Sequence, residues 1–492
     1  MKVLLVYPEF PDTFWSFKHA LPFQGKRSAF PPLGLLTVSA LLPSHWQRRL
    51  VDMNVARIKE ADLAWADVVF LSGMIVQGPS MKEVIARCKQ RGLRTVVGGP
   101  IVSAGDAAIT NADHIVQGEA EEVIAELAAD LEAGIARPRY DRRQLPDVTQ
   151  VPPPHLHLVN LRRYSAMAVQ FSRGCPFTCE FCDIIEIYGR RPRTKTPEQV
   201  CAELDQIYEL GWRGRVFLVD DNFIGNKKKV KLLLPELVRW VQDHKFPFSF
   251  ITEASLNLAE DPELLQMMHD AHFTSVFLGI ETPVAESLKE TTKFQNLRQD
   301  LLGSVRLIQS YGIEVMAGFI VGFDNDPPDV FERQIQFIKE AAIPLSMVGL
   351  LNALPNTQLW RRLQAEGRLL KQSLGNNTLL DLNFIPKMDT KELLEGYRRI
   401  LQTIYSPHEY FERAAAFLSQ LGAGARTPLS FSDLMAAGRS LWRQGCRSDY
   451  RKEYWKFLVQ TLRRHRRHLD KALTLAIMGH HFFALTGASE SS

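Results

Sequence analysis

Short, uninterrupted apolar runs alternate with amphipathic stretches from the first residue onward. The runs are Lys2–Tyr7, Arg49–Asp52, Asp67–Leu71, Leu93–Val97 and His114–Val116. Between them, Leu33–Leu42, Ser80–Gln90, Ala104–Thr110 and Glu119–Leu131 place apolar residues at helical spacing. This alternation predicts a five-stranded parallel sheet covered by helices on both faces, a Rossmann-like domain over residues 1–140. The ligand of such a sheet lies beyond the carboxyl ends of its strands. The candidate loops are therefore Pro8–Trp15, Ser72–Gly78, Gly98–Pro100 and Gly118–Glu119. Their glycines either end strands or let a ligand approach the backbone closely. Neither GxGxxG after the first strand nor GxxxxGK[ST] occurs, so the usual nucleotide cradles have no signature here. A large, mostly flat cofactor held by backbone contacts suits this loop set.

Gly134, Pro138, Pro146 and Pro152–Pro154 then crowd a stretch without periodicity. Consecutive prolines suit neither a helix nor a central strand, so residues 141–160 are expected to be a linker. Beyond it, Ala168–Ser172 alternates like a strand, followed by runs at Val216–Val219, Phe248–Thr252, Ser275–Leu278, Glu314–Ile320 and Met347–Leu351. Helical patterns separate them at Pro197–Leu210, Lys228–His244, Pro262–His269, Leu297–Tyr311 and Pro328–Lys339. Six such units fall short of a closed eight-stranded barrel. Residues 161–385 are expected to form a partial (β/α)6 barrel with functional residues at the carboxyl ends of its strands. Residues 386–492 read as a helical domain, with periodic stretches at Lys391–Thr403, His408–Leu421, Phe431–Leu441, Lys452–Leu462 and Leu473–Phe483. His480 and His481 in the last of these read as packing residues.

Composition narrows the function. With 492 residues, 46% hydrophobic and 23% charged, the chain is a folded protein of several domains. A net charge of +4 is too small to make nucleic acid the expected partner. The N-terminus reads as a strand and not as a secretory signal, and no apolar run is long enough to span a bilayer, so a cytoplasmic setting is expected. Between Arg451 and Lys471, eight Lys or Arg residues stand against two acidic ones. That segment is either a solvated helix face or a peripheral contact with anionic lipid of the inner membrane.

Six cysteines exclude a disulfide scaffold at this length. Cys88, Cys201 and Cys446 lie in helical patterns and read as core or surface thiols. Cys175, Cys179 and Cys182 share one Gly/Pro-punctuated loop after a strand. Structural zinc would want a fourth ligand, for which His155 or His157 beyond a Pro-rich turn are the candidates. Thiolates also suit an iron–sulfur cluster, and a cubane held by three of them keeps one iron free for a small molecule.

With Phe181 before the third cysteine, this CxxxCxxC loop resembles that of radical S-adenosylmethionine (SAM) enzymes. In that family the free iron of a 4Fe-4S cluster binds SAM, whose reductive cleavage releases a 5′-deoxyadenosyl radical. Residues 1 to about 400 also resemble the class with an N-terminal cobalamin-binding domain. Phe14–Trp15–Ser16 and the stretch Asp183–Arg190 are similar to the hopanoid C2 methylase subgroup, which carries a C-terminal extension. The resemblance implies cobalamin contacts around Pro8, Phe14, Trp15, Gly34, Ser72, Gly73, Gln77, Gly98, Gly99, Pro100, Gly118 and Glu119. The DxHxxG motif of other cobalamin proteins is missing: Asp12 begins DTFWSF, and His19 is out of register. Cobalt is then expected without a histidine beneath it, with Gln77 either near the metal or an ordinary loop residue.

On the SAM side the resemblance and loop logic point to Glu253, Gly279, Glu281, Gly318 and Gly322, with Arg173 and Arg190 bracketing the cluster. Glu253 would accept from the SAM amino group or ribose, or else be a solvated strand end. Glu281 has Arg306 and Lys289 as alternative ion partners. Asp220 and Asp221 are the candidate catalytic residues nearest a substrate, and Asn222 is a candidate helix N-cap.

The resemblance implies a methyltransferase. Methyl would pass from methylcobalamin to an unactivated carbon of a hydrophobic or ring-containing small molecule after the radical removes hydrogen. A cyclase or oxidase using the same cofactors, and a non-enzymatic cobalamin carrier or regulator, are the alternatives. Flavodoxin or ferredoxin would supply electrons, and a monomer is expected.

Overall fold

A computed structural model describes residues 1–104, 109, 111–142, 144–376, 378–424 and 431–487. The predicted helix at Ala104–Thr110 lies largely outside them. The first sheet contains β1 (Lys2–Tyr7), β2 (Gln47–Asp52), β3 (Val68–Ser72), β4 (Arg94–Gly98), β5 (His114–Gln117) and β6 (Arg139–Asp141). Their order is β2-β1-β3-β4-β5-β6, and every pairing is parallel. Val3, Leu5, Val68 and Phe70 enter one core layer, while Leu4, Val6, Val69 and Leu71 enter the other. Burial on both faces is why β1 and β3 read as nearly continuous apolar runs.

The sheet has six strands, not the five that the apolar runs suggested. The extra strand, β6, carries one buried residue, Tyr140, between two exposed charged ones. Three residues of that composition make no apolar run. Tyr140 is held by its hydroxyl, which donates to Asp130 at 2.6 Å.

The second sheet contains β7 (Met167–Val169), β10 (Gly214–Leu218), β11 (Phe248–Ala254), β12 (Phe273–Glu281), β13 (Glu314–Val321) and β14 (Ser346–Leu350). Its order is β14-β13-β12-β11-β10-β7, all parallel and open-edged: a partial (β/α)6 barrel, as expected. The predicted strand Ala168–Ser172 divides in two. Met167–Val169 stays in the barrel, whereas Ser172–Arg173 (β8) pairs antiparallel with Arg193–Thr194 (β9) in a separate ribbon. The break follows from Asp220, which accepts the Phe171 amide at 2.8 Å and the Ser172 hydroxyl at 2.9 Å.

Helices Thr390–Ile404, Pro407–Gln420, Phe431–Ser440, Arg451–Arg464 and Leu469–Thr486 follow the barrel. They continue its core: Tyr397, Tyr405, Tyr410 and Phe411 belong to the same apolar cluster as the barrel strands. The Tyr405 hydroxyl donates to the Ser346 carbonyl at 2.7 Å, and buried Arg413 donates to the Ile343 carbonyl at 2.9 Å. His481 is buried between the Phe14 carbonyl and the His19 amide, and His480 meets the Tyr450 hydroxyl at 2.6 Å. Burial lowers both imidazole pKa values to about 4, which keeps them neutral packing groups. Among the described residues no helix is long and apolar enough to cross a membrane.

Candidate functional site

The β8–β9 ribbon closes a loop at residues 174–192 that carries the three cysteines. Gly174 opens it with φ +94°, and a Cβ there would lie 2.8 Å from the Gly189 carbonyl oxygen, so only glycine fits without a shift. The Gly189 carbonyl accepts the Cys175 amide, and the Cys179 carbonyl accepts the Cys182 amide. Asp221 accepts the Gly174 amide at 2.8 Å. Asp220 and Asp221, the candidate catalytic pair, thus both anchor the backbone that leads into the first cysteine. Asn222 stands at an N-cap position but caps nothing with its side chain. Its amide is turned instead toward Ser255, at 3.2 Å, and the Cys175 sulfur, at 3.8 Å.

All three thiols are unpaired. Among the described residues no three His, Cys, Asp or Glu side chains converge on a point that would hold a single ion. Zinc needs such convergence, whereas a cubane takes each thiolate on a different iron. His155 is engaged elsewhere, with Ser39 at 3.0 Å. Amide N–H groups from Asn222 and Gln295 (3.6 Å from the Cys179 sulfur) approach two of the sulfurs, as suits thiolates bearing charge. The donor set therefore fits a cluster.

Beside the loop, Lys293 and Glu281 form a buried ion pair. Glu281 takes φ +67° at a bulge in β12, where Gly279 pairs with Gly318 and Glu281 already pairs with Phe319. The bulge turns Glu281 toward Lys293, and a Cβ on Gly279 would fall onto both charged groups. Neither Arg306 nor Lys289 is the partner. Nothing in the sequence pattern distinguished Lys293, which sits in a short polar segment after the strand. Burial lowers its pKa, but Glu281, Cys179 and Cys182 outweigh burial, and the net shift is upward.

Glu253, next to last in β11, is partly exposed, and its carboxylate has no hydrogen-bond donor among the described residues. Burial, then the charges of Asp221 and Asp220, raise its pKa to about 8. Burial likewise raises Asp220 to about 7 and Asp221 to about 6, against the hydrogen bonds they accept. Gly322 follows β13, and Asp326 accepts its amide at 2.8 Å. Gly318 packs its open side against Phe277. Arg190 is exposed. Arg173 is spent on Glu119 and Glu121, both at 2.7 Å.

That contact joins the two sheets. Glu119, after β5, is buried and takes Arg142 at 2.9 Å, Arg173 at 2.7 Å and Arg193 at 2.8 Å. Arg173 and Arg193 are the paired residues of the ribbon beneath the cysteine loop. The carboxyl edge of the first sheet is thereby fastened to the cluster loop. On that edge Gly34 is exposed, with open space where a Cβ would stand, and Met74 is about half exposed. Gly99 lies against Ser72 and Gly73, and Pro100 begins a short turn whose Ile101 amide donates to the Gly73 carbonyl. Gly98 ends β4, and Gly118 lies against the Arg142 stem. Gln77 is buried: its amide accepts from the Met74 amide at 2.7 Å and donates to the Pro8 carbonyl at 2.5 Å. Trp15 meets Phe277 of the barrel edge-on at 4.9 Å, and Phe14 stacks on Phe482 at 4.6 Å. An open glycine and exposed apolar side chains along one sheet edge fit a large planar cofactor.

On the far side, Arg362 holds Glu180 at 2.6 Å and Asp324 at 2.9 Å, tying the helix Gln358–Ala365 to the cysteine loop. Sequence reasoning missed this network, because Arg362 lies 182 residues from Glu180 and 38 from Asp324, with no local pattern linking them.

Comparison with known proteins gives three matches to family models: the B12 binding domain over residues 27–128, the Radical SAM superfamily over 169–338, and a domain of unknown function (DUF4070) over 357–491. The uncharacterized methyltransferase sll1242 of Synechocystis sp. is 45% identical, over 98% of this chain and 91% of that protein. The hopanoid C-2 methylase of Rhodopseudomonas palustris is 37% identical, over 98% and 92%. The structure of the radical SAM methyltransferase TsrM from Kitasatospora setae, with cobalamin and a [4Fe-4S] cluster bound, shares the fold at TM-score 0.63 and 15% identity. It covers 93% of this chain and 99% of that one.

Proposed function

The chain belongs to the cobalamin-binding radical SAM methyltransferases, the family of its two near-full-length relatives, and on that premise we propose that it methylates a hydrophobic or ring-containing small molecule at an unactivated carbon. Its cofactors are a 4Fe-4S cluster, SAM and cobalamin. Bound, the cluster supplies an electron for reductive cleavage of SAM, and cobalamin carries the methyl group. The residues of this chain do the placing. Cys175, Cys179 and Cys182 would hold the cluster, with Asn222 and Gln295 donating to its sulfur ligands. Glu253, which lacks a donor of its own, would accept from the SAM ammonium or ribose. Gly279, Gly318 and Gly322 would lie at the barrel mouth on the SAM side, and Glu281 positions Lys293 beside the cluster loop. Asp220 and Asp221 act through the loop backbone.

The observation that carries this reading is Glu119 buried among Arg142, Arg173 and Arg193. It brings the carboxyl edge of the first sheet to the cysteine loop, so that both cofactors can address one substrate carbon. A cytoplasmic monomer drawing electrons from flavodoxin or ferredoxin, peripherally associated with membrane, fits a substrate of this class. The working division is 1–140, 141–160, 161–385 and 386–492.

The test is anaerobic incubation of reconstituted protein with SAM, methylcobalamin, a strong reductant and a detergent-dispersed lipid extract. Mass spectrometry should show a methylated acceptor, with S-adenosylhomocysteine and 5′-deoxyadenosine formed together. Release of 5′-deoxyadenosine without S-adenosylhomocysteine would make it a cyclase or oxidase instead.

A further inference from the structure

The C-terminal helices carry an exposed face that the site does not use. In helix Phe431–Ser440 and the π-helical turn Leu441–Cys446, helical spacing puts Leu434, Leu441 and Trp442 on one side. Leu434 and Trp442 are each 61% exposed. The other side is committed to the protein: Arg439 donates to the Phe23 carbonyl at 2.8 Å, and Arg443 lies over the Phe23 ring. The apolar stripe meets helix Arg451–Arg464 at Gly445, whose carbonyl accepts the Trp455 indole N–H at 2.9 Å. Spacing of four and then three residues lines up Trp455, Val459 and Leu462, which are 43%, 42% and 50% exposed. An open groove of about 870 Å³ runs beside them, and its cationic lining is Arg451, Lys452, Lys456, Arg463 and Arg464.

This combination selects its occupant. A second copy seated face to face would set the same cationic rim against itself, which is repulsive. Nucleic acid would use the charges but has no need of protruding Leu434, Val459 and Leu462. The surface of an anionic bilayer takes both parts, because phosphate headgroups meet Lys and Arg while Trp and Leu enter the acyl boundary.

We propose that this face docks on an anionic lipid surface and holds the enzyme where a hydrophobic substrate is dissolved, a statement that rests on the substrate class proposed above. The face is mechanically joined to the site. Helix Phe431–Ser440 packs on the segment Leu21–Gln24, which continues the loop that places Trp15 against Phe277 of the barrel.

Flotation of the full chain with vesicles of equal parts phosphatidylglycerol and phosphatidylcholine tests this, with pure phosphatidylcholine vesicles and a DNA duplex as comparison ligands. The wild type should float with anionic vesicles, be released by high salt, and stay behind with neutral ones. Leu434→Ser with Trp442→Ser should lower vesicle binding roughly tenfold, and Lys452→Glu with Lys456→Glu by a similar factor. Both variants should keep their thermal midpoint and their activity on detergent-dispersed extract. Three results overturn the proposal: no wild-type flotation, flotation unchanged in both variants, or displacement of the vesicles by the duplex. Failed flotation with methylation intact in detergent removes the docking face and leaves the substrate reading standing. Flotation without methylation does the reverse.

Discussion

At the residue scale, partly exposed Glu253 shares the barrel mouth with Asp220 and Asp221, whose charges add to burial in raising its pKa. Its folded pKa, raised to about 8 from an ordinary value of 4.5, means that the folded protein holds this proton more tightly than the unfolded chain does. The associated stability is present below pH 4.5 and is lost as pH rises through about 8. Glu253→Gln should therefore flatten the pH dependence of the thermal midpoint of the ligand-free protein across that window. It should also weaken SAM binding, since a neutral amide gives up the attraction to an ammonium. Melts across the pH range and equilibrium titration with SAM check the two halves. Glu119 is buried among three guanidinium groups, those of Arg142, Arg173 and Arg193. Glu119→Gln leaves Arg142 and Arg193 without their carboxylate while Arg173 keeps Glu121, and breaking a buried pair of this kind costs about 3–5 kcal/mol, measurable by urea denaturation.

At the element scale, the cysteine loop is shaped by the ribbon that closes it and by the backbone of its first glycine. Gly174→Ala brings a Cβ to 2.8 Å from the Gly189 oxygen at φ +94°. The strain of about 1–3 kcal/mol falls on the loop, not on the sheets. Iron bound per chain after anaerobic reconstitution should drop, while the far-ultraviolet circular dichroism of the sheets and helices stays as in the wild type. The strand patterns were legible because burial on two sides leaves an apolar run in each barrel strand. The ribbon was not legible. Two residues per strand give no periodicity, and the split of the expected strand at Gln170–Phe171 depends on Asp220, some fifty residues downstream. The β12 bulge was hidden for a similar reason: one extra residue shifts the register without changing the apolar pattern around it.

At the scale of the whole molecule, the last helix and the first loop depend on each other. Phe482 lies between Phe14, stacked on it at 4.6 Å, and Tyr405 at 4.7 Å, and the Phe14 carbonyl is held by His481. Phe482→Ala should cost about 3–5 kcal/mol by leaving a cavity there. Because that cavity loosens the loop bearing Trp15, cobalamin affinity should fall while cluster iron content holds. A cobalamin titration beside an iron assay reads the two separately. The sequence by itself determined the two parallel sheets, the helical end and the three-cysteine loop, because burial on both faces of a strand and thiolate spacing are local constraints that adjacent residues must satisfy. Only the tertiary structure decided that Lys293 partners Glu281, that Arg362 ties Glu180 to Asp324, and that Glu119 gathers Arg142, Arg173 and Arg193 between the sheets. A charged side chain carries no mark of which distant charge it will meet. That choice is made when the sheets dock and water leaves the space between them, since an ion pair repays its desolvation only in the geometry that the assembled fold supplies.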